Sequence, residues 1–179
     1  LGEYGLFIDN DGEKELDVIR VNIIAATELT KLFLKEMVSR NEGRILQIAS
    51  VASFIPSPHL AVYSASKAYL FFLTEALQHE IKDTDVTITM LCPGANDIDF
   101  FNKANDWQNV IEPDHKLENP TAVARMGYIA LMQGKKREIV GTKDELREAI
   151  STILPDAWLA AALGTLFDEH SPEEDTVKI

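Results

Sequence analysis

Two short apolar runs, Gly43 to Ser50 and Val86 to Cys92, are separated by a stretch of helical periodicity from about Tyr63 to Lys82. Short strand-like runs alternating with 3.6-residue periodicity are what an α/β layered fold requires, because each sheet face must be covered by helices. The alternation extends in both directions. Residues from about Asp11 to Arg40 read as a helix, and Asn119-Pro120 starts another, with Asn as N-cap and Pro at the first position, running to about Gly134. Arg137 to Gly141 reads as a third strand, and Asp144 to Glu169 as a helical tail broken at Pro155. With no internal repeat and no low-complexity linker, residues 1–179 read as one domain.

Both long helices carry more apolar surface than one neighbour needs. In the first, Ile19, Ile23, Ala26, Thr30, Phe33 and Met37 form one stripe, and Val18, Ala25, Leu29 and Leu32 widen it. The second places Ala65, Ala68, Tyr69, Phe72, Leu73, Ala76, Leu77 and Ile81 together, with Leu70 and Phe71 on another side. Each is expected to pack on a sheet with one face and on a partner with the other.

Charge and composition narrow the function. The net charge of -12 argues against nucleic acid and against anionic membrane as partners, since both call for a basic surface. Cys92 is the single cysteine, so there is no internal disulfide, and no apolar run approaches the ~18 residues of a membrane span. A reducing, cytoplasmic setting is the expectation. No metal is expected, because no His/Cys/Asp/Glu set near His59 has ligand spacing. The stretch Asp9-Asn10-Asp11-Gly12 is better explained as a helix N-cap than as a calcium loop.

Catalytic chemistry is suggested by Tyr63 and Lys67. Four residues apart on one helix, they share a face, so the ammonium sits beside the phenol and its field favours the ionised ring oxygen. A tyrosine tuned in this way exchanges a proton near neutral pH. Ser50, at the end of the first apolar run, is a hydroxyl that the fold can deliver to the same place.

Taken in order, Asn22 within the first helix, Ser50 after a strand, Tyr63-Ser64-Ala65-Ser66-Lys67 opening a helix, and Cys92-Pro93-Gly94 closing the next strand resemble the short-chain dehydrogenase/reductase family. The resemblance covers nearly the whole chain. It implies a three-layer, doubly wound parallel sheet of Rossmann type, and an oxidoreductase that interconverts alcohols and carbonyls with NAD or NADP. It further implies Tyr63 as general acid/base, Lys67 as the group that tunes Tyr63 and bonds the nicotinamide ribose, and Ser50 as the donor to the carbonyl oxygen. Ser53 fits the family spacing less well. Asn22 would anchor a water that relays protons to the lysine, and its awkward position inside a helix, where Asn competes for backbone bonds, invites such a role. Pro93 and Gly94 would let the backbone pass close to the cofactor.

The chain departs from the family in two places. No G-x-G-x-x-G cluster occurs among the nine glycines, and the family's N-terminal strands are absent, so the chain reads as the C-terminal part of a longer domain. Ile98 stands where the family places a threonine against the nicotinamide carboxamide, leaving backbone contacts only. Pro56, Pro58, His59, Leu60, Phe100, Phe101 and Trp107 fall where the family builds its substrate pocket, suggesting an apolar or aromatic carbonyl compound or alcohol; packing of the loops explains them equally well. The resemblance implies a homodimer or homotetramer, with the two long helices at the dimer interface. A non-catalytic dimerising or binding scaffold is the alternative reading, and epimerase or dehydratase chemistry on the same Tyr-Lys pair is another.

Overall fold

The computed structural model describes residues 1–94 and 119–141, all within one compact unit, Leu1–Gly141. The expected tail helix, Ile98, Phe100, Phe101 and Trp107 lie outside the described residues.

Helix α1 (Gly12–Ile19) begins at Asp11, whose side chain accepts from the Glu13 amide at 2.9 Å, so the Asp-rich stretch is a cap. It runs through a π-helical segment, Arg20–Ala25, into α2 (Ala26–Ser39). Asn41, with φ 53°, then turns the chain into β1 (Gly43–Ile48), while its side chain exchanges two 2.9 Å hydrogen bonds with Asp85 at the entrance to the next strand. A 3₁₀ turn at Val51–Phe54 leads to α3 (Ala61–Glu80), β2 (Val86–Pro93), α4 (Pro120–Met132) and β3 (Arg137–Val140). Asn119 caps α4 as expected, accepting from the Thr121 amide at 2.8 Å, and Pro120 occupies the first position.

The three strands are parallel in the order β1-β2-β3, with Gly43 opposite Val86 and Pro93 opposite Val140. Alternate residues of β2 feed opposite layers. Val86 and Ile88 pack with Leu34 of α2 and with Ile81, while Leu91 packs with Val123 of α4 and Val140 of β3. Met90 and Cys92, fully buried, complete the α3 side against Ala49, Phe54 and Phe71. The result is a parallel sheet with helices on both faces, Rossmann-like as expected. No helix among the described residues is long and apolar enough to cross a membrane.

The helix stripes differ from the sequence reading. In α1–α2 the inward residues are Glu15, Val18, Asn22, Thr30 and Leu34, whereas Leu29, Leu32 and Phe33 face outward. A constant 3.6-residue wheel misplaces them because the π segment interrupts it. In α3 the buried line is Ser64, Lys67, Leu70 and Thr74, while Ala65, Tyr69, Phe72 and Ala76 lie outside. Strand β1 also ends earlier than expected and is only partly buried: Ile48 is exposed, and buried Gln47 donates to Thr30 Oγ1.

Candidate active site

In an open parallel sheet, ligands bind beyond the carboxyl ends of the strands, and the candidate residues converge there. Ser50 lies two residues past β1, buried, as the N-cap of the 3₁₀ turn. Its Oγ accepts from the Ala52 amide at 3.1 Å and makes a long 3.5 Å donor contact to the Pro93 carbonyl at the end of β2. Ser50 and Pro93 are therefore neighbours, and Gly94 is held beside them by its amide, which donates to the Val140 carbonyl at 2.8 Å. Ser53 instead points its hydroxyl into the interior, buried and without a hydrogen-bond partner among the described residues.

Tyr63 and Lys67 occupy the first two turns of α3, which starts at Ala61, two residues before the expected Tyr63. The Lys67 Nζ lies 5.6 Å from the centroid of the Tyr63 ring and donates to the Ile48 carbonyl, the last of β1, at 2.9 Å. The lysine is buried, and desolvation lowers its pKa to about 8, the field of Cys92 opposing that shift. An ammonium has three donors, and Ile48 takes one of them among the described residues, so two can serve hydroxyl acceptors of the ribose type.

Asn22 lies in the π segment rather than in an ordinary α turn, and π segments occur often at functional sites. Its amide is fully engaged. Nδ2 donates to the Leu1 carbonyl and to Ser66 Oγ, each at 2.9 Å, and Oδ1 accepts from the Leu1 nitrogen at 3.2 Å. Ser66 Oγ in turn donates to the Tyr63 carbonyl at 2.7 Å. Hydrogen bonds thus join Asn22 to α3 at Tyr63, and join Ser50 to Pro93 across the strand ends. The family-model match covers residues 4–109 and is to the short chain dehydrogenases.

The chain belongs to the short-chain dehydrogenase family. Among curated relatives of this family, the ketoacyl reductase HetN of Nostoc sp. is 44% identical over 137 residues, which is 76% of this chain and 47% of that protein. The 17-beta-hydroxysteroid dehydrogenase type 3 of Mus musculus is 39% identical over 49% of this chain and 28% of its own length. The chain therefore spans between about a quarter and a half of these short-chain dehydrogenases. A short-chain dehydrogenase from Sphingobium yanoikuyae, solved in complex with NADPH, superposes with a TM-score of 0.71 at 18% identity, covering 100% of this chain and 66% of that one. At that identity the likeness concerns the fold. The relatives named here are a reductase and dehydrogenases, and the structural neighbour was solved with NADPH.

His59, grouped with the pocket residues on sequence, is exposed in the loop before α3. It adopts φ 65°, stacks on Tyr4 at 5.3 Å and accepts from the Gly5 amide at 2.9 Å through its carbonyl. Ser66 and the Ile48 carbonyl escaped the sequence reading. Nothing in a linear pattern couples Ser66 to an Asn forty-four positions earlier.

Proposed function

We propose that this chain supplies the catalytic part of an NAD- or NADP-dependent reductase that interconverts a ketone and an alcohol, within a domain continuing beyond residues 1–179. The observation that carries the reading is the Lys67 ammonium poised over the Tyr63 ring and tethered to the end of β1. When bound, the dinucleotide supplies or accepts the hydride. Tyr63 donates its phenolic proton to the developing alkoxide and takes it back in the reverse direction. Lys67 favours the ionised tyrosine and offers its remaining N–H groups to the ribose hydroxyls. Ser50 Oγ, released from its long contact with the Pro93 carbonyl, donates to the substrate oxygen as negative charge develops there. Asn22 holds the proton path behind Lys67, and Pro93, Gly94 and the backbone at Ile98 line the cofactor.

Substrate breadth follows the relatives' names, which speak of ketoacyl, 3-oxoacyl-CoA and hydroxysteroid compounds. A carbonyl on a large apolar body suits all three. The outward Val21, Ile24, Leu29, Leu32, Phe33 and Phe72, all exposed, support a second copy packing on these helices as a homodimer or homotetramer. A cytoplasmic site of action fits the single buried thiol and the acidic surface. The deciding experiment follows NAD(P)H oxidation over a panel of apolar ketones, with Tyr63→Phe as the control. Turnover lost in that variant supports the assignment; turnover retained in full would sink it.

A further inference from the structure

We propose that Ser66 is a positioning residue for the site, acting through Asn22; this rests on the reductase reading above. Ser66 is fully buried on α3, and its Oγ sits between two of the candidate catalytic residues. A hydroxyl has one proton to give. Ser66 gives it to the Tyr63 carbonyl at 2.7 Å, a local bond common for serine within helices. Toward Asn22 the oxygen can then only accept, so it must meet the amide's nitrogen and not its oxygen. That choice, together with the Leu1 carbonyl, which can also only accept, fixes the flip of the Asn22 side chain. With Nδ2 turned to Ser66, Oδ1 faces the opposite side and meets the Leu1 nitrogen, while the second Nδ2 proton reaches the Leu1 carbonyl. The serine oxygen and the Leu1 carbonyl, both acceptors, thereby turn Nδ2 toward α3 and leave Oδ1 to the Leu1 nitrogen. Ser66 also ties the π segment to the turn of α3 that bears Tyr63, and it does so without touching substrate.

Ser64 provides a matched control. It is buried on the same helix and donates back to the Leu60 and Ala61 carbonyls at 3.0 and 3.2 Å, with no bond to Asn22. In the full natural chain, Ser66→Ala is expected to lower kcat about tenfold, with KM little changed and the pH-rate profile displaced, as loss of a supporting hydrogen bond typically does. Ser64→Ala should leave both intact. In an Asn22→Ala background the Ser66 effect should vanish, because two residues acting through one bond are not additive. The Asn22 side-chain amide resonances in a 15N-labelled sample should move in Ser66→Ala and stay in place in Ser64→Ala. Wild-type kcat and pH profile in a folded Ser66→Ala, or a loss that persists undiminished in the Asn22→Ala background, would overturn the proposal. If Ser66→Ala does not fold, Asn22→Asp, which cannot donate to Ser66, must show the same loss, and wild-type turnover there would overturn it equally. If the wild-type chain reduces no ketone, the reductase reading falls, and the resonances alone decide: unmoved Asn22 signals refute the positioning role.

Discussion

The Lys67 ammonium lies 5.6 Å from the centre of the Tyr63 ring while its hydrogen bond runs to the Ile48 carbonyl, so the strand end, not the tyrosine, fixes where the charge sits. Tyr63 is only half-buried, whereas Lys67 is buried. The cost of desolvation falls on the lysine.

Tyr63→Phe should reduce turnover by roughly 10² to 10⁴, the usual contribution of a general acid. Circular dichroism and melting temperature should remain near wild type, since the ring and its packing are kept. Steady-state kinetics on purified variant and parent checks both.

Lys67→Met should abolish turnover yet raise stability at pH 7. The folded-state pKa of Lys67 is about 8 against an ordinary 10.5, so the unfolded chain binds the extra proton between those values. Below about pH 8 the folded protein carries the full penalty of a buried charge, on the order of 3 kcal/mol, offset by about 1 kcal/mol for the bond to Ile48. As pH rises from about 8 to 10.5 the penalty fades, and the advantage of the variant should fade with it. Denaturant unfolding at pH 7 and pH 10 measures the difference. An equal gain at both values would contradict the account.

Reduction by the wild-type protein should decline as pH climbs through about 8, where Lys67 gives up its proton and no longer supports Tyr63. A kcat/KM profile that stays flat to pH 10 would exclude Lys67 as the titrating group.

Cys92 should resist alkylation in the native state. It is fully buried, and burial pushes its thiol up to about 12, so almost no thiolate is present at pH 8. Iodoacetamide labelling followed by mass spectrometry should show modification only when the protein unfolds.

Gly43→Ala should destabilise by about 1 to 3 kcal/mol, because the added carbon would lie 2.6 Å from Met37 Cβ, an atom that cannot swing away. Gly12→Ala, where nothing lies within 4 Å, should be neutral or slightly stabilising. Paired thermal melts test the contrast.

The alternation of strands and helices was readable because period and turn chemistry are local: Asp11 and Asn119 cap the helices they were expected to cap. Tyr63 and Lys67 could be paired because helical spacing alone brings them together. Leu29 and Phe33 share an apolar stripe with Thr30 on a wheel of constant pitch, yet they lie outward while Thr30 is buried, since such a wheel has no means of foreseeing a π segment. The Asn22–Ser66 bond was invisible for a different reason. It is a tertiary contact between polar residues, and neither residue breaks a local pattern strongly enough to name its partner.

The π segment has a consequence for how this helix tolerates change. From Val18 through Asn22 and Ala26 to Thr30 and Leu34, inward positions recur every fourth residue, a longer step than an α-helix makes in one turn. An ordinary helix with that spacing would wind its inner line steadily off the sheet. The wide turn absorbs the surplus as a single phase slip, so Arg20–Ala25 behaves like an insertion stored within the helix. Rewinding those six residues as ordinary α-helix, with none removed, would rotate all of α2 against the sheet, separating Leu34 from Ile88 and Thr30 from Gln47 at once. One backbone irregularity thus sets the azimuth of a whole helix and, at the same point, presents Asn22 to the site.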